Sequence, residues 1–346
     1  SNLPDPAVIP SEHFNTVLWT GTGSSNARTD VGFQPDFTWI KGRSHISNHR
    51  LMNSIAGATK YLLSNAPQAE GTDSQVMSSF DSNGFTVGTE DDTNGSSKTF
   101  VAWNWKAGGT GVSNTNGSIT STVSANADAG FSIVSYTGAG NYGDTIGHGL
   151  GVVPDMFIFK NRSGVYYWSL YHKDTSVNPE TNNMYFNSNS VIDNDGDFFW
   201  NDTAPTTSLI TLGGDAGVNA NGDNYIAYVF KSIDGYSKVG SFTGNGSADG
   251  PFVYTGFRPR YLLGKNATRS TGENWFIYDS ERNDYNLTEK RLWSDLSSAE
   301  NTSTVGVDFT SNGFKVRHTD GMFNSSGDTV IYWAFAETPF KHSNAR

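Results

Sequence analysis

The chain alternates apolar and polar residues in short runs. In FTWIK, Phe37, Trp39 and Lys41 fall on one side of an extended strand, and Thr38 and Ile40 fall on the other. Similar runs recur along the sequence between turns rich in Gly, Asn, Asp and Ser, as short strands require. The best helical candidate, HRLMNSIAGATKYLL, is broken at Gly57 and reads better as strand, loop, strand. The pattern predicts an all-β protein in which helix is nearly absent.

The runs themselves repeat. GFQPDFTWIKGR at 32–43 returns as GVVPDMFIFKNR at 151–162 and as GFRPRYLLGKNA at 256–267. Upstream of each copy stands an alternating strand ending in Thr-Gly-x-Gly, at 17–23, 134–140 and 239–246. Downstream come KTFVAWNW, DNYIAYVF and DTVIYWAF, each after a Gly-containing turn. The intervening pieces match in order, including QVMSSFD, FFWND and GVDFTS, which align Trp200 with Phe80 and Phe309 as core positions. Trp39, Phe157 and Leu262 are expected at equivalent or adjacent inward positions. Pro35, Pro154 and Pro259, with fixed φ and no N–H, suit the turn that leads into an inner strand.

This order predicts three tandem β-sandwich or jelly-roll modules of about eight strands each. The expected organisation is an N-terminal extension over 1–13, then repeat 1 over 14–107. A Gly/Ser/Thr linker over 108–130 with one strand, SITSTVSA, precedes repeat 2 over 131–233 and repeat 3 over 234–346.

Composition narrows the function. Formal charge is 23 − 34 = −11 with only 16% charged residues, which argues against nucleic acid as a partner. Cysteine is absent, so disulfides and thiolate metal sites are excluded. No apolar run is long enough to insert into a membrane as a helix, and SNLPDPAVIPSEHF lacks the features of a signal peptide.

The runs HFNTVLWTGTG, GFQPDFTWIKGR, SSFDSNGFTVG and TFVAWNWKAGG, followed by SITSTVSANADAGFSIVSYTG and GSFTGNGSADGPFVYTGFRP, resemble a repeat family of tailed bacteriophages. The family is especially common in marine phages, including those of cyanobacteria, and the resemblance spans nearly the whole chain. It implies concanavalin-like sandwich modules in a non-enzymatic virion structural protein of the tail-fibre or surface-appendage type, on the virion surface and extracellular after host lysis. The implied partners are other virion proteins and a host-surface glycan or receptor, and analogy with fibre proteins implies a homotrimer. The alternatives are a capsid decoration or spacer protein and a cell-surface polysaccharide depolymerase.

Candidate chemistry is sparse. Glu residues are scattered, and no acidic position recurs across the copies as a paired-carboxylate mechanism would want. His45 and His49 read as a surface loop. No cofactor is required, although Asp193, Asp195 and Asp197 in DNDGD offer alternating oxygens to calcium. Tyr142, Tyr166, Tyr167 and Tyr285 lack counterparts in the other copies and lie in or beside loops, where sugar faces stack on such rings.

Overall fold

A computed structural model describes residues 8–337 except 284. The chain is all-β, with 41% strand and 6% helix. Residues 1–7 of the expected N-terminal extension, and everything after residue 337 in the expected third repeat, lie outside the described residues.

One pairing order occurs three times. The strand before each Thr-Gly-x-Gly turn pairs with the last strand of its copy; that strand pairs with the one after the Pro turn, which pairs with the next. In the first copy these are Phe14–Thr20, Thr99–Trp105, Phe37–Gly42 and Arg50–Asn53. In the second they are Phe131–Thr137, Asn224–Phe230, Met156–Asn161 and Ser169–His172. In the third they are Ser237–Thr243, Thr329–Ala336, Pro259–Asn266 and Phe276–Asp279. Shorter strands pair separately: Asn26–Arg28 with Gly84–Val87, Asp144–Gly147 with Leu209–Leu212, and Phe252–Tyr254 with Gly313–Val316.

The central strands are buried on both faces, so the predicted alternation sorts residues between two cores. Phe37 and Trp39 enter one core and Ile40 another. The copies' own cores hold Ile40 and Phe85, then Phe157 and Trp200, then Leu262 and Phe314. The larger core is common to all three, bringing together Trp39, Trp103 and Trp105, then Ile158 and Tyr228, then Leu263 and Trp333. Trp105 stacks on Trp333 with centroids 5.4 Å apart, and Phe37 stacks on Tyr228 at 4.3 Å. A void of about 10 Å³ is all that remains between Trp39, Tyr228 and Trp333, too little for more than a single water.

Polar groups join the copies in a closed ring. Arg162 pairs with Glu70 at 2.6 and 3.0 Å, and Arg43 pairs with Glu300 at 2.9 and 2.9 Å. At the third joint Ala267 and Ile192 occupy those positions, and the same main-chain bond survives: Glu70 to Arg162, Glu300 to Arg43 and Ile192 to Ala267, at 3.0, 2.8 and 3.2 Å. Three rings donate across the same joints. His49 Nε2, Trp168 Nε1 and Trp275 Nε1 meet the carbonyls of Trp293, Leu63 and Tyr185 at 2.8, 2.8 and 3.2 Å. His49 Nδ1 accepts from Trp39 Nε1 at 2.8 Å, which places its proton on Nε2. Burial holds this imidazole well below its usual pKa, so it is a neutral joint residue and not part of a surface loop.

Three details differ from the sequence reading. FFW lies in a short helix, Gly196–Trp200, that ends at left-handed Asn201 with φ 51°. Trp200 is still buried, with its indole N–H on the Asn182 carbonyl at 2.9 Å, but it does not share the strand register of Phe80. Register pairs Trp39 with Trp103, Ile158 with Tyr228 and Leu263 with Trp333. Phe157 and Leu262 therefore sit one residue before the equivalents of Trp39 and face the opposite core. The linker supplies two strands, Val112–Asn114 and Ser121–Asn126, and the second pairs with Phe131–Thr137.

Candidate functional site

Each copy has a gap between its first strand and the short strand that follows. The outward edge of the first strand borders this gap, and the chain treats it differently in each copy.

In the first copy side chains close it. Arg260 donates to the Thr16 carbonyl at 3.2 Å and Arg28 donates to that of Leu18 at 3.5 Å, so two outward carbonyls meet guanidinium groups. Arg260 stands where the first two copies have Asp36 and Asp155 after the Pro. Those aspartates accept main-chain N–H groups at the exit of the last strand: Ala107 at 2.8 Å and Ser232 at 2.8 Å.

In the second copy a chain segment closes it. Linker strand Ser121–Asn126 pairs Thr122 with Ser135 and Ser124 with Ile133. Ile119 bridges to Ile146 and enters the second copy's core, while the Ser121 hydroxyl donates to the Gly147 carbonyl at 3.1 Å. A polar hollow of about 440 Å³ beside it is bordered by linker residues Gly111 and Thr122 and not by the Phe131–Thr137 strand.

In the third copy the gap is a groove of about 400 Å³, bordered by Lys238 to Phe242 on one side and Phe252 to Tyr254 on the other. Register makes Phe252 the counterpart of Thr145 and Ala27, and Tyr254 the counterpart of Gly147. Both aromatic rings are outward, 47% and 65% exposed, while Val253 between them is buried. Lys173 and Asp174 of the second copy close one end. Burial raises the Asp174 carboxyl above its usual range, against the opposing pulls of Lys173 and Ser241. Among the described residues, Asp174 is the one carboxylate bordering the groove.

Sequence reasoning missed Phe252 and Tyr254. Their signal was the alternation in PFVYT, which puts two aromatics opposite Val253 where the other copies carry small residues.

Among the described residues, none of the four tyrosines singled out by sequence is in ring contact with another, although Tyr166 and Tyr167 are neighbours in the chain. Tyr142, 56% exposed, meets the half-exposed Phe198 edge-on at 6.4 Å. Tyr167 meets Tyr185 at 5.2 Å. Tyr166 belongs to a joint: its N–H donates to the Pro67 carbonyl at 3.0 Å and its own carbonyl accepts from Lys160 at 3.0 Å. Tyr285 is 83% exposed.

The three aspartates do not converge on a common point. Asp193 exchanges main-chain bonds with Asn183 at 2.9 Å, and Asp197 accepts from the Phe198 N–H at 2.9 Å. Burial, then the neighbouring Asp195, raises the Asp193 carboxyl. Among the described residues, the set whose potential ligand atoms all lie within 4.8 Å of one another is His45, Asp91 and Asp92. Its carboxylates already serve protein partners: Asp91 pairs with Lys98, and Asp92 with Arg50 at 3.0 Å.

A family model described as a domain of unknown function (DUF7483) matches residues 9–339. No curated protein and no solved structure gives a significant match.

Proposed function

The chain belongs to the DUF7483 family, whose description assigns no function, and we propose that it is a non-enzymatic structural protein of a bacteriophage virion, of the tail-fibre or surface-appendage type. In this reading the three copies are tandem β-sandwich modules. The observation that carries it is the closure of all three around one aromatic core, which makes the body a rigid mount and leaves recognition to its rim.

Two rim features divide the work. The exposed pair Tyr142 and Phe198 offers ring faces to a host-surface glycan, with Asn141 and Asp144 close by in the same turn. The groove of the third copy holds the protein in the particle. In a homotrimer, as fibre proteins form, three such rims would act together, and avidity would offset weak single contacts.

Electron microscopy of particles bearing a gold-labelled antibody to this protein tests the location, and competition for host attachment by the purified chain tests the role. Label on tail appendages together with competition is the expected result. Label confined to the capsid shell, or release of reducing sugar from host polysaccharide, overturns it.

A further inference from the structure

We propose that the groove of the third copy takes an extended segment of another virion protein, which adds a short strand to the Ser237–Thr243 edge at its open end, Ser241. This rests on the reading of the chain as one part of a larger assembly, and it names what that assembly inserts here.

The argument begins with backbone direction. Ser237 N–H donates to the Ile233 carbonyl at 2.9 Å, and Val239 N–H donates to Ser232 Oγ at 3.0 Å, both away from the neighbouring strand Thr329–Ala336. Strand groups alternate with period two, so the N–H and C=O of Ser241 point the same way, into the groove. Ser135 holds the equivalent position in the second copy and is paired there with Thr122 of the linker; Leu18 holds it in the first, where Arg28 reaches its carbonyl. Two of three equivalent edges are thus sealed from within the chain, one of them by an added strand. The third presents the same main-chain template at Ser241, beyond the Ser237 and Val239 groups that Ile233 and Ser232 already meet.

The occupant's chemistry follows from the segment already seated in the second copy. Ser118–Val123 supplies two β-branched apolar residues, Ile119 and Val123, separated by small hydroxyl residues, and they are 8% and 3% exposed. In the third copy the wall opposite the edge is enlarged from Thr145 and Gly147 to Phe252 and Tyr254, which offers an incoming apolar side chain more surface. A second copy of this chain is not the donor, because its matching segment is already paired with its own Phe131–Thr137 strand.

The test uses the full chain and a synthetic peptide of residues 112–126, VSNTNGSITSTVSAN. Fluorescence anisotropy reads binding, and amide hydrogen exchange reads the Ser241 N–H. Saturable one-to-one binding with slowed Ser241 exchange is expected. Placing Asp at position 119 of the peptide, or Ser at Phe252 of the protein, should weaken binding by about tenfold or more. Phe252 is half exposed, so Phe252→Ser should fold; Ser241→Pro, which removes the edge N–H, is the stricter variant if it folds. No saturable binding, or binding unchanged by Phe252→Ser, overturns the inference, as does association of two copies through this edge. Host oligosaccharides run in the same assay separate the two levels. If they bind through Phe252 and the peptide does not, the groove is functional but its ligand is not a polypeptide; gold labelling independently decides whether the protein is in the particle at all.

Discussion

The ammonium group of Lys160 donates to the carbonyl of Pro67, 93 residues earlier in the chain, at 3.0 Å. Lys41 and Lys265 occupy the same strand position and reach the carbonyls of Ser297 and Ser188 at 3.4 and 3.5 Å. All three amines are fully buried, and each crosses a joint between copies. Long-range closure of this chain therefore depends on desolvated lysines that main-chain carbonyls hold.

Burial pushes Lys41 and Lys160 from 10.5 down to about 8 and lowers Lys265 as well. The unfolded chain then binds more protons than the folded one between these values, so stability rises with pH over that window. Above the ordinary tyrosine range the sign reverses. Buried Tyr136, Tyr236 and Tyr261 stay protonated in the fold because burial raises them, but they ionise on unfolding. Urea midpoints should climb from about pH 8 to about pH 10 and fall beyond. Lys160→Met should reduce the climb, and a midpoint that falls steadily from neutral pH would contradict this account.

The joints differ in chemistry at one equivalent place, and this gives a sharper test. Glu70→Ala leaves the Arg162 guanidinium largely buried without its carboxylate and should cost about 2–3 kcal/mol. Combining Arg162→Ala with Glu70→Ile copies the pair Ala267 and Ile192 from the third joint. The double variant should lie within about 1 kcal/mol of the parent, because a packed apolar pair can replace an ion pair. If its loss equals the sum of the single losses, the joints are not equivalent.

The shared core makes a single copy unable to stand alone. Residues 131–233 expressed by themselves would expose Tyr228, Phe230 and Ile158, which are buried against the other two copies. That fragment should be aggregated or molten, with poor amide dispersion, whereas the whole chain should unfold in one transition by calorimetry. Trp105→Ala, which removes the stack on Trp333, should cost about 3–5 kcal/mol and lower that single transition. Three resolved transitions, with Trp105→Ala moving only the first, would mean independent beads.

The threefold order of strands was legible because strand patterns and turn residues are local. Alternation in FTWIK correctly divided Phe37 and Trp39 from Ile40, and the HRLMNS segment is a strand followed by a turn. Closure was not legible. Its bonds join residues as far apart as Arg43 and Glu300, 257 positions, and no periodicity records such a pair. One trace existed: Pro-Asp in two copies becomes Pro-Arg at Arg260, which turns an internal cap into a contact with Thr16 of the first copy. The candidate site was half legible. Loops of the second copy were noticed for their tyrosines, yet Tyr166 serves a joint, and the groove walls Phe252 and Tyr254 were hidden inside a repeated strand. Trp200 was placed in the core correctly but in the wrong kind of element, because a Gly-led turn with left-handed Asn201 converts FFW into a helical turn.

Host recognition on the proposed reading concentrates on the pair formed by Tyr142 and Phe198. Tyr142 lies over Gly214, where any Cβ would meet its ring, so the ring's position depends on that glycine. Tyr142→Ala and Phe198→Ala remove exposed surface and should change stability by no more than about 0.5 kcal/mol each. Attachment of the purified chain to host cells should fall by about tenfold for either variant, since a stacked ring contributes on the order of 1–1.5 kcal/mol. Tyr285→Ala, at an exposed position with no ring contact among the described residues, is the matched control and should bind as the parent does. Tyr166→Ala should keep its main-chain bonds to Pro67 and Lys160 and with them its fold. If Tyr142→Ala and Phe198→Ala both fold and attach normally while Tyr285→Ala does not, the glycan surface lies on the third copy and not the second.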